Sequence, residues 1–280
     1  IMMSDNVWIM NPPGRDASRL SDETGLPLEI CQILVNRNIK EPDDASRFLN
    51  GTLQDLHDPF QMTGMEEAVE RILKAVSGGE KILIFGDYDV DGILSVVALY
   101  KALDSLGAGV DYYIPERLTK GYGIKEEYLS IVKERKASLA ISVDCGMRAV
   151  DFVDKANTAG IDVIITDHHL PGPEIPRALA VLNPVLESAG YPEKKLAGVG
   201  VVFKLIQALF IRTGKESLLP HYLKLVAIAT IADVSELRGE NRLFVKFGLK
   251  GLENVANKGL SSLLDSCGLN GKPVTVGDVG

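Results

Sequence analysis

The period of the apolar positions changes near residue 80. Upstream, Met65, Ala68, Val69, Ile72, Leu73 and Val76 recur at three and four residues, which predicts an amphipathic helix closed by Gly78 and Gly79. Downstream, short runs rich in apolar strand formers lie at 81–85, 110–114, 139–143 and 162–166, with a last short one at 180–182. Helical patterns separate them at 93–106, 124–135 and 147–159. Continuous rather than alternating apolar runs belong to strands buried on both faces. The strand–helix order therefore predicts an α/β fold: a mostly parallel, twisted sheet with helices on both faces. Right-handed crossovers then bring the strand carboxyl ends to one edge.

The flanks read as helical. Residues 26–36 have helical periodicity, and Asp43 and Asp44 stand where an acid would cap a short helix at 45–49. Beyond Asn183 and Pro184, helices are predicted at 199–211, 218–230 and 241–250, with a further element beginning at 259–264. The tail, 271–280, reads as a turn and an incipient strand. This divides the chain into a helical lead at 1–60, a main domain at 61–250, and at 251–280 the start of a connection to a further domain.

The predicted carboxyl edge gathers the chemistry. The first strand runs into Gly86, Asp87, Tyr88, Asp89, Val90, Asp91 and Gly92, three acids with no basic residue among them. Such a cluster needs a cation or shared protons to relieve its charge, and oxygen donors suit hard divalent ions such as Mg²⁺ or Mn²⁺. The spacing also opens like an EF-hand loop, but the twelfth position is Ala98 and the upstream flank is strand-like. An acidic turn without a ligand is the plainer alternative. The third strand ends in Asp144, Cys145 and Gly146, where Asp144 reads either as a helix cap or as a ligand. The fourth ends in Asp167, His168 and His169. Adjacent histidines point apart, so one ligand and one phosphate-facing donor is the arrangement easier to build. Asp233, a lone acid in an apolar run, reads equally as a helix-end residue or as one more carboxylate for the same site.

Composition narrows the rest. The 280 residues are 46% apolar and carry a net charge of −8, so any basic face that grips nucleic acid has to be local. Cys31, Cys145 and Cys267 are far apart and odd in number, which predicts neither disulfides nor a thiolate zinc site. No apolar run has the length of a membrane span, and the first residues lack a signal peptide's pattern. A cytoplasmic protein with no membrane partner is expected.

Four blocks in order carry a resemblance: residues 85–92, residues 142–146, Asp167-His168-His169-Leu170-Pro171-Gly172, and residues 230–234. With them the sequence resembles the DHH phosphoesterase superfamily, named for the triplet at 167–169. Its flanking pieces, at 114–117, 121–123 and 239–242, resemble the branch that degrades single-stranded DNA from the 5′ end. The resemblance makes 61–250 a catalytic domain. It implies that Asp87, Asp89, Asp91, Asp144, His168 and Asp233 hold two divalent ions, Mn²⁺ or Mg²⁺. It makes Asp167 and His169 catalytic, with His169 toward the scissile phosphate, and places Arg117 against a 5′-phosphate.

By the same likeness the substrate is single-stranded DNA with a 5′ end, handled in repair and recombination, with a single-strand-binding protein or a helicase as possible partner. Short oligonucleotides, cyclic dinucleotides and pyrophosphate are the alternative substrates within the superfamily, and a non-catalytic scaffold is the alternative of another class. Leu94 stands where the family often has a small hydroxyl residue, and Phe85 where some members carry a histidine. The smaller DHHA1 domain that follows in the family would lie beyond residue 280.

Overall fold

The computed structural model describes residues 14–116, 121 and 123–280. Arg117 lies outside them. The chain divides after Asp55 into two compact units.

In the first unit, helices α1 (Arg15–Thr24), α2 (Leu28–Asn36) and α3 (Pro42–Asn50) bury Ala17, Leu20, Cys31, Leu34 and Ala45 among themselves. The third helix starts earlier than expected. Glu41 is its N-cap and Pro42 its first turn, because proline's fixed φ suits a position whose N–H has no partner. Asp43 and Asp44 thus sit inside the first turn, where they favour the positive end of the helix without capping it.

The second unit opens with α4 (Met65–Ser77) and is built on five strands: β1 (Lys81–Phe85), β2 (Gly109–Tyr113), β3 (Leu139–Val143), β4 (Asp162–Thr166) and β5 (Ala180–Leu182). Their order across the sheet is β2-β1-β3-β4-β5, and all four pairings are parallel. One face carries Leu83, Phe85, Ala140, Val163 and Ile165 against Tyr128, Val132, Phe152 and Val153. These last come from α6 (Leu129–Glu134), the 3₁₀ turn before it, and α7 (Val150–Thr158). Phe85 is therefore a core residue, stacked parallel to Tyr128. Alternate strand residues face the other side by the pleat. There α5 (Val90–Ser105) contacts β1, β2 and β3 and packs against α8 (Gly198–Thr213). The latter helix is apolar nearly all round, as a helix covered on several sides must be.

Helices α9 (Leu223–Ala232), α10 (Gly239–Lys250) and α11 (Lys258–Ser266) complete the unit. The tail departs from the expected strand: Val276–Val279 is a single helical turn, α12. Thr275 and Asp278 form a reciprocal capping box, a local hydrogen-bond pair that starts a helix whatever the apolar alternation suggests.

A buried ion pair ties distant segments. Lys204 Nζ donates to Glu240 Oε1 at 2.9 Å and to the His57 carbonyl at 2.7 Å, and Tyr191 Oη donates to Glu240 Oε2 at 2.5 Å. Both charged side chains are essentially inaccessible. Burial lowers the Lys204 pKa, and Glu240 opposes that shift. Next to it, Asn241 Nδ2 donates to the carbonyls of Lys195 and Glu236. Residues 239–242 thus hold the turn that follows α9.

Candidate metal centre

The sheet order reverses direction between β1 and β3: β1 leads to β2 on one side, and the chain then returns to β3 on the other. Open α/β sheets form their ligand crevice at such a point, outside the strand carboxyl ends. The two strand ends flanking it carry the 87–91 acids and Asp144, and β4 beside them delivers residues 167–169.

Each acid is fixed by backbone geometry. Asp89 is the N-cap of α5, and its Oδ1 accepts the Gly92 amide at 2.8 Å. Gly92 must be glycine, since a Cβ there would stand 2.6–2.8 Å from backbone atoms of Asp87. Asp91 is 3% exposed and reaches across to α8, accepting the Gly198 amide at 2.7 Å and the Val199 amide at 2.8 Å. Those are free donors at a helix N-terminus, where negative charge is favoured. Asp144 extends the β3–β4 ladder, its amide bonded to the Thr166 carbonyl, and then turns left-handed at φ 58°. A non-glycine residue there is uncommon and strained, and such strain gathers at functional sites. It rules out the helix-cap alternative for Asp144, whose backbone would be extended. Val234, directly after Asp233, repeats the conformation at φ 58° with its side chain 88% exposed.

Asp167 is fully committed. It accepts the amides of Met147, His168 and His169, and its Oδ1 lies 2.7 Å from His169 Nδ1. The His169 carbonyl in turn accepts from Asn183. Burial alone would raise the Asp167 pKa, but the His169 ring and the backbone amides outweigh it and leave it below the usual aspartate value. The same hydrogen bond raises His169 against the opposing effect of burial.

Three overlapping triads result. Asp87, Asp89 and Asp144 bring one oxygen each together; Asp144, His168 and His169 form a second set; Asp91, His168 and Asp233 form a third, each with donor atoms within 4.8 Å of one another. Asp144 and His168 each belong to two sets. Every sequence-predicted ligand is thus in one place, including Asp233, which caps the end of α9.

The group fits divalent cations on its own geometry. Asp144 Oδ1 and His168 Nε2 face each other at 3.1 Å, and neither has a hydrogen-bond partner despite being buried. Burial, then repulsion from Asp91 and Asp89, pushes Asp144 up to about 10. Burial raises Asp91 to about 6, with His168 and the α8 amides pulling the other way. Carboxylates so disfavoured as anions are what a divalent ion stabilises, and oxygen with imidazole donors suits Mn²⁺ or Mg²⁺. Cys145 is fully buried with its thiol pKa pushed well up, so it remains a packed thiol.

Sequence reasoning missed Gly198. A Cβ on it would come within 2.5 Å of Asp144 Oδ1, so only glycine lets α8 approach both Asp91 and Asp144. The available signal was a pair of glycines, Gly198 and Gly200, opening an otherwise apolar helix.

Comparison with known proteins agrees with this geometry. Residues 81–230 match the family model described as "DHH family, N-terminal domain". The chain is 41% identical over 269 residues to the single-stranded-DNA-specific exonuclease RecJ of Bacillus subtilis (strain 168), covering 96% of this chain and 34% of that protein. It thus spans about a third of that relative's length. Among solved structures, the crystal structure of exonuclease RecJ bound to manganese shares 37% identity at a TM-score of 0.71, over 77% of this chain and 55% of the other. RecJ from Thermus thermophilus in complex with Mn²⁺ superimposes with a TM-score of 0.77 at 31% identity, over 95% of this chain and 37% of the other. With more than half its length matched by the family model, and the triplet that names the family seated at the convergence of the acids, the chain belongs to the DHH family.

Proposed function

We propose that this chain is the catalytic part of a metal-dependent phosphodiesterase that removes nucleotides from the 5′ end of single-stranded DNA. The observation that carries the reading is the overlap of the three triads through Asp144 and His168. Asp144 from one set and His168 from another meet in the third, so the outer two sets lie next to each other and could each hold a divalent ion. Asp87, Asp89 and Asp144 would hold one ion, and Asp91, His168 and Asp233 the other. Bound there, the ions supply the charge that acidifies water and offsets the negative charge of a phosphoryl group.

The chain's own groups do the rest. Asp167 accepts from His169 Nδ1 and raises the His169 pKa, favouring the protonated ring, whose Nε2–H can donate toward a phosphoryl oxygen. Asp167 is therefore a positioning residue, acting through His169. The N-terminus of α8 holds Asp91 in place through two amides. Arg117 is assigned to a terminal 5′-phosphate on the family resemblance.

We also assign the protein to cytoplasmic DNA repair and recombination, with a single-strand-binding protein or a helicase presenting the strand. Among the described residues no helix is long and apolar enough to cross a membrane. The greater length of the RecJ relatives supports residues 251–280 leading into a second domain.

The test uses the complete natural chain with Mn²⁺ and compares a 5′-phosphorylated single strand, a duplex, a dinucleotide and pyrophosphate. Mononucleotide release from the single strand is the expected result. Hydrolysis confined to the dinucleotide or to pyrophosphate reassigns the substrate, and no metal-dependent hydrolysis of any of them overturns the reading.

A further inference from the structure

A cavity of about 460 Å³ adjoins the metal centre, lined by Gly123, Ile124, Gly146, Met147, Arg148, Ala149, Asp167 and His169. That volume is in the range of small-molecule sites. Asp167 and His169 line it together with the turn between β3 and α7. The one basic side chain other than histidine among its lining residues is Arg148.

Among the described residues, Arg148 stands unpaired beside the metal centre, whereas four arginines of this unit are held by carboxylates. Arg71 pairs with Glu80 and Asp162, Arg135 with Asp111, Arg177 with Glu174, and Arg212 with Glu66. Arg148 is exposed and has no carboxylate partner among the described residues. Glu174 lies near enough to line the adjoining outer depression with Arg148, yet it pairs with Arg177. In a chain of net charge −8, an unpaired guanidinium beside a cluster of carboxylates is conspicuous. A planar five-donor guanidinium fork matches phosphate oxygens.

The backbone explains how Arg148 comes to stand there. Asp144 and Gly146 both have positive φ, 58° and 120°, and the Ala149 amide closes on the Gly146 carbonyl. The tight turn that presents Asp144 to the metal centre therefore also places Arg148 at the mouth of the cavity, four residues on.

We propose that Arg148 binds a non-scissile backbone phosphate of the nucleic-acid substrate, holding the strand while the neighbouring phosphate lies against His169. This rests on the phosphodiesterase reading above and adds to it a residue that grips the chain of phosphates. Arg148 is a substrate-binding residue in this scheme. It makes an oligonucleotide, with several phosphates, a better substrate than pyrophosphate.

The test compares wild type, Arg148→Ala and Arg148→Lys in the complete natural chain. Steady-state cleavage of a 5′-phosphorylated single strand with Mn²⁺ separates KM from kcat. Fluorescence anisotropy of the same strand in EDTA reads binding without turnover, across a salt series. Arg148→Ala is expected to raise KM and Kd about tenfold or more with kcat nearly unchanged. Its slope of log affinity against log salt should shrink by about 0.7, the loss of one phosphate contact on a single strand. Arg148→Lys should recover part of the affinity. Neutralising one phosphate at a time as methylphosphonate should identify a position that weakens wild type and leaves Arg148→Ala unaffected. Unchanged KM and salt slope in an active Arg148→Ala protein, or a loss confined to kcat, overturns the assignment and leaves the phosphodiesterase reading intact. A wild type that neither binds nor cleaves the single strand overturns both.

Discussion

Gly198→Ala tests the convergence of the site most directly. The added methyl carbon would lie 2.5 Å from Asp144 Oδ1 and 2.8 Å from its Cβ and Cγ, where ordinary contact begins at 3.4 Å. Something must therefore move by about 0.9 Å. Asp144 cannot retreat easily: its amide is locked to Thr166 and it is 1% exposed. The helix cannot retreat without stretching the Asp91 bonds to Gly198 and Val199, at 2.7 and 2.8 Å. Overpacking of this kind costs about 1–3 kcal/mol, partly offset by the roughly 0.5–1 kcal/mol that alanine gains over glycine in a helix. A displacement near 1 Å at a reacting centre costs on the order of 100-fold in rate. Isothermal titration with Mn²⁺, urea unfolding of the metal-free protein, and single-turnover cleavage by the complete chain measure the three effects. Expected are a modest stability loss, Mn²⁺ affinity weakened at least tenfold, and a rate loss of about two orders of magnitude. An alanine variant that binds Mn²⁺ and turns over as wild type does would refute the close approach of α8 to Asp144.

Other perturbations follow from the same geometry. Asp91 and Asp144 are acids whose folded pKa values, about 6 and about 10, exceed the ordinary 3.8. The folded state then keeps protons that the unfolded chain has lost, so metal-free stability falls as pH rises from about 4, through 6 for Asp91 and on toward 10 for Asp144. Asp144→Asn should flatten that fall, be the more stable protein at pH 8 without metal, and lose the Mn²⁺-dependent rise in Tm; stability flat from pH 4 to 8 in wild type would contradict the burial of charge. Lys204→Met leaves Glu240 buried beside Tyr191 with no counter-charge and should cost about 3–5 kcal/mol by urea unfolding. Asp167→Asn cannot accept all four of the hydrogen bonds made to the carboxylate, so His169 loses its orientation. A rate loss of about 100-fold with Mn²⁺ affinity little changed is expected in single-turnover and titration experiments, and loss of Mn²⁺ binding instead would make Asp167 part of the ion cage.

Much of this was legible from residue order. The run 139–143 is apolar but for Ser142 and buried throughout because both faces are covered, and β3, β4 and β5 begin and end where their composition predicts. The acids and histidines at the strand ends were readable because a parallel sheet with right-handed crossovers sends every carboxyl end to one edge. Local hydrogen bonding overrode the apolar pattern where it was strong, at Pro42 and at the Thr275–Asp278 box. Periodicity carries no information about such pairs.

What tertiary structure alone decided are contacts between parts of the chain far apart in sequence. Asp233 was ambiguous as a lone acid, and only the packing of α9 against α5 puts its oxygen within 4.8 Å of those of Asp91 and His168. Asp91 looked like one of three equivalent acids, yet it accepts two amides of α8, more than a hundred residues away. The need for glycine at 198 and the unpaired charge of Arg148 are likewise properties of neighbours that only folding supplies. The physical reason is range. Propensity and periodicity report on a few successive residues, whereas burial, clash distance and charge pairing depend on which segments the sheet brings side by side.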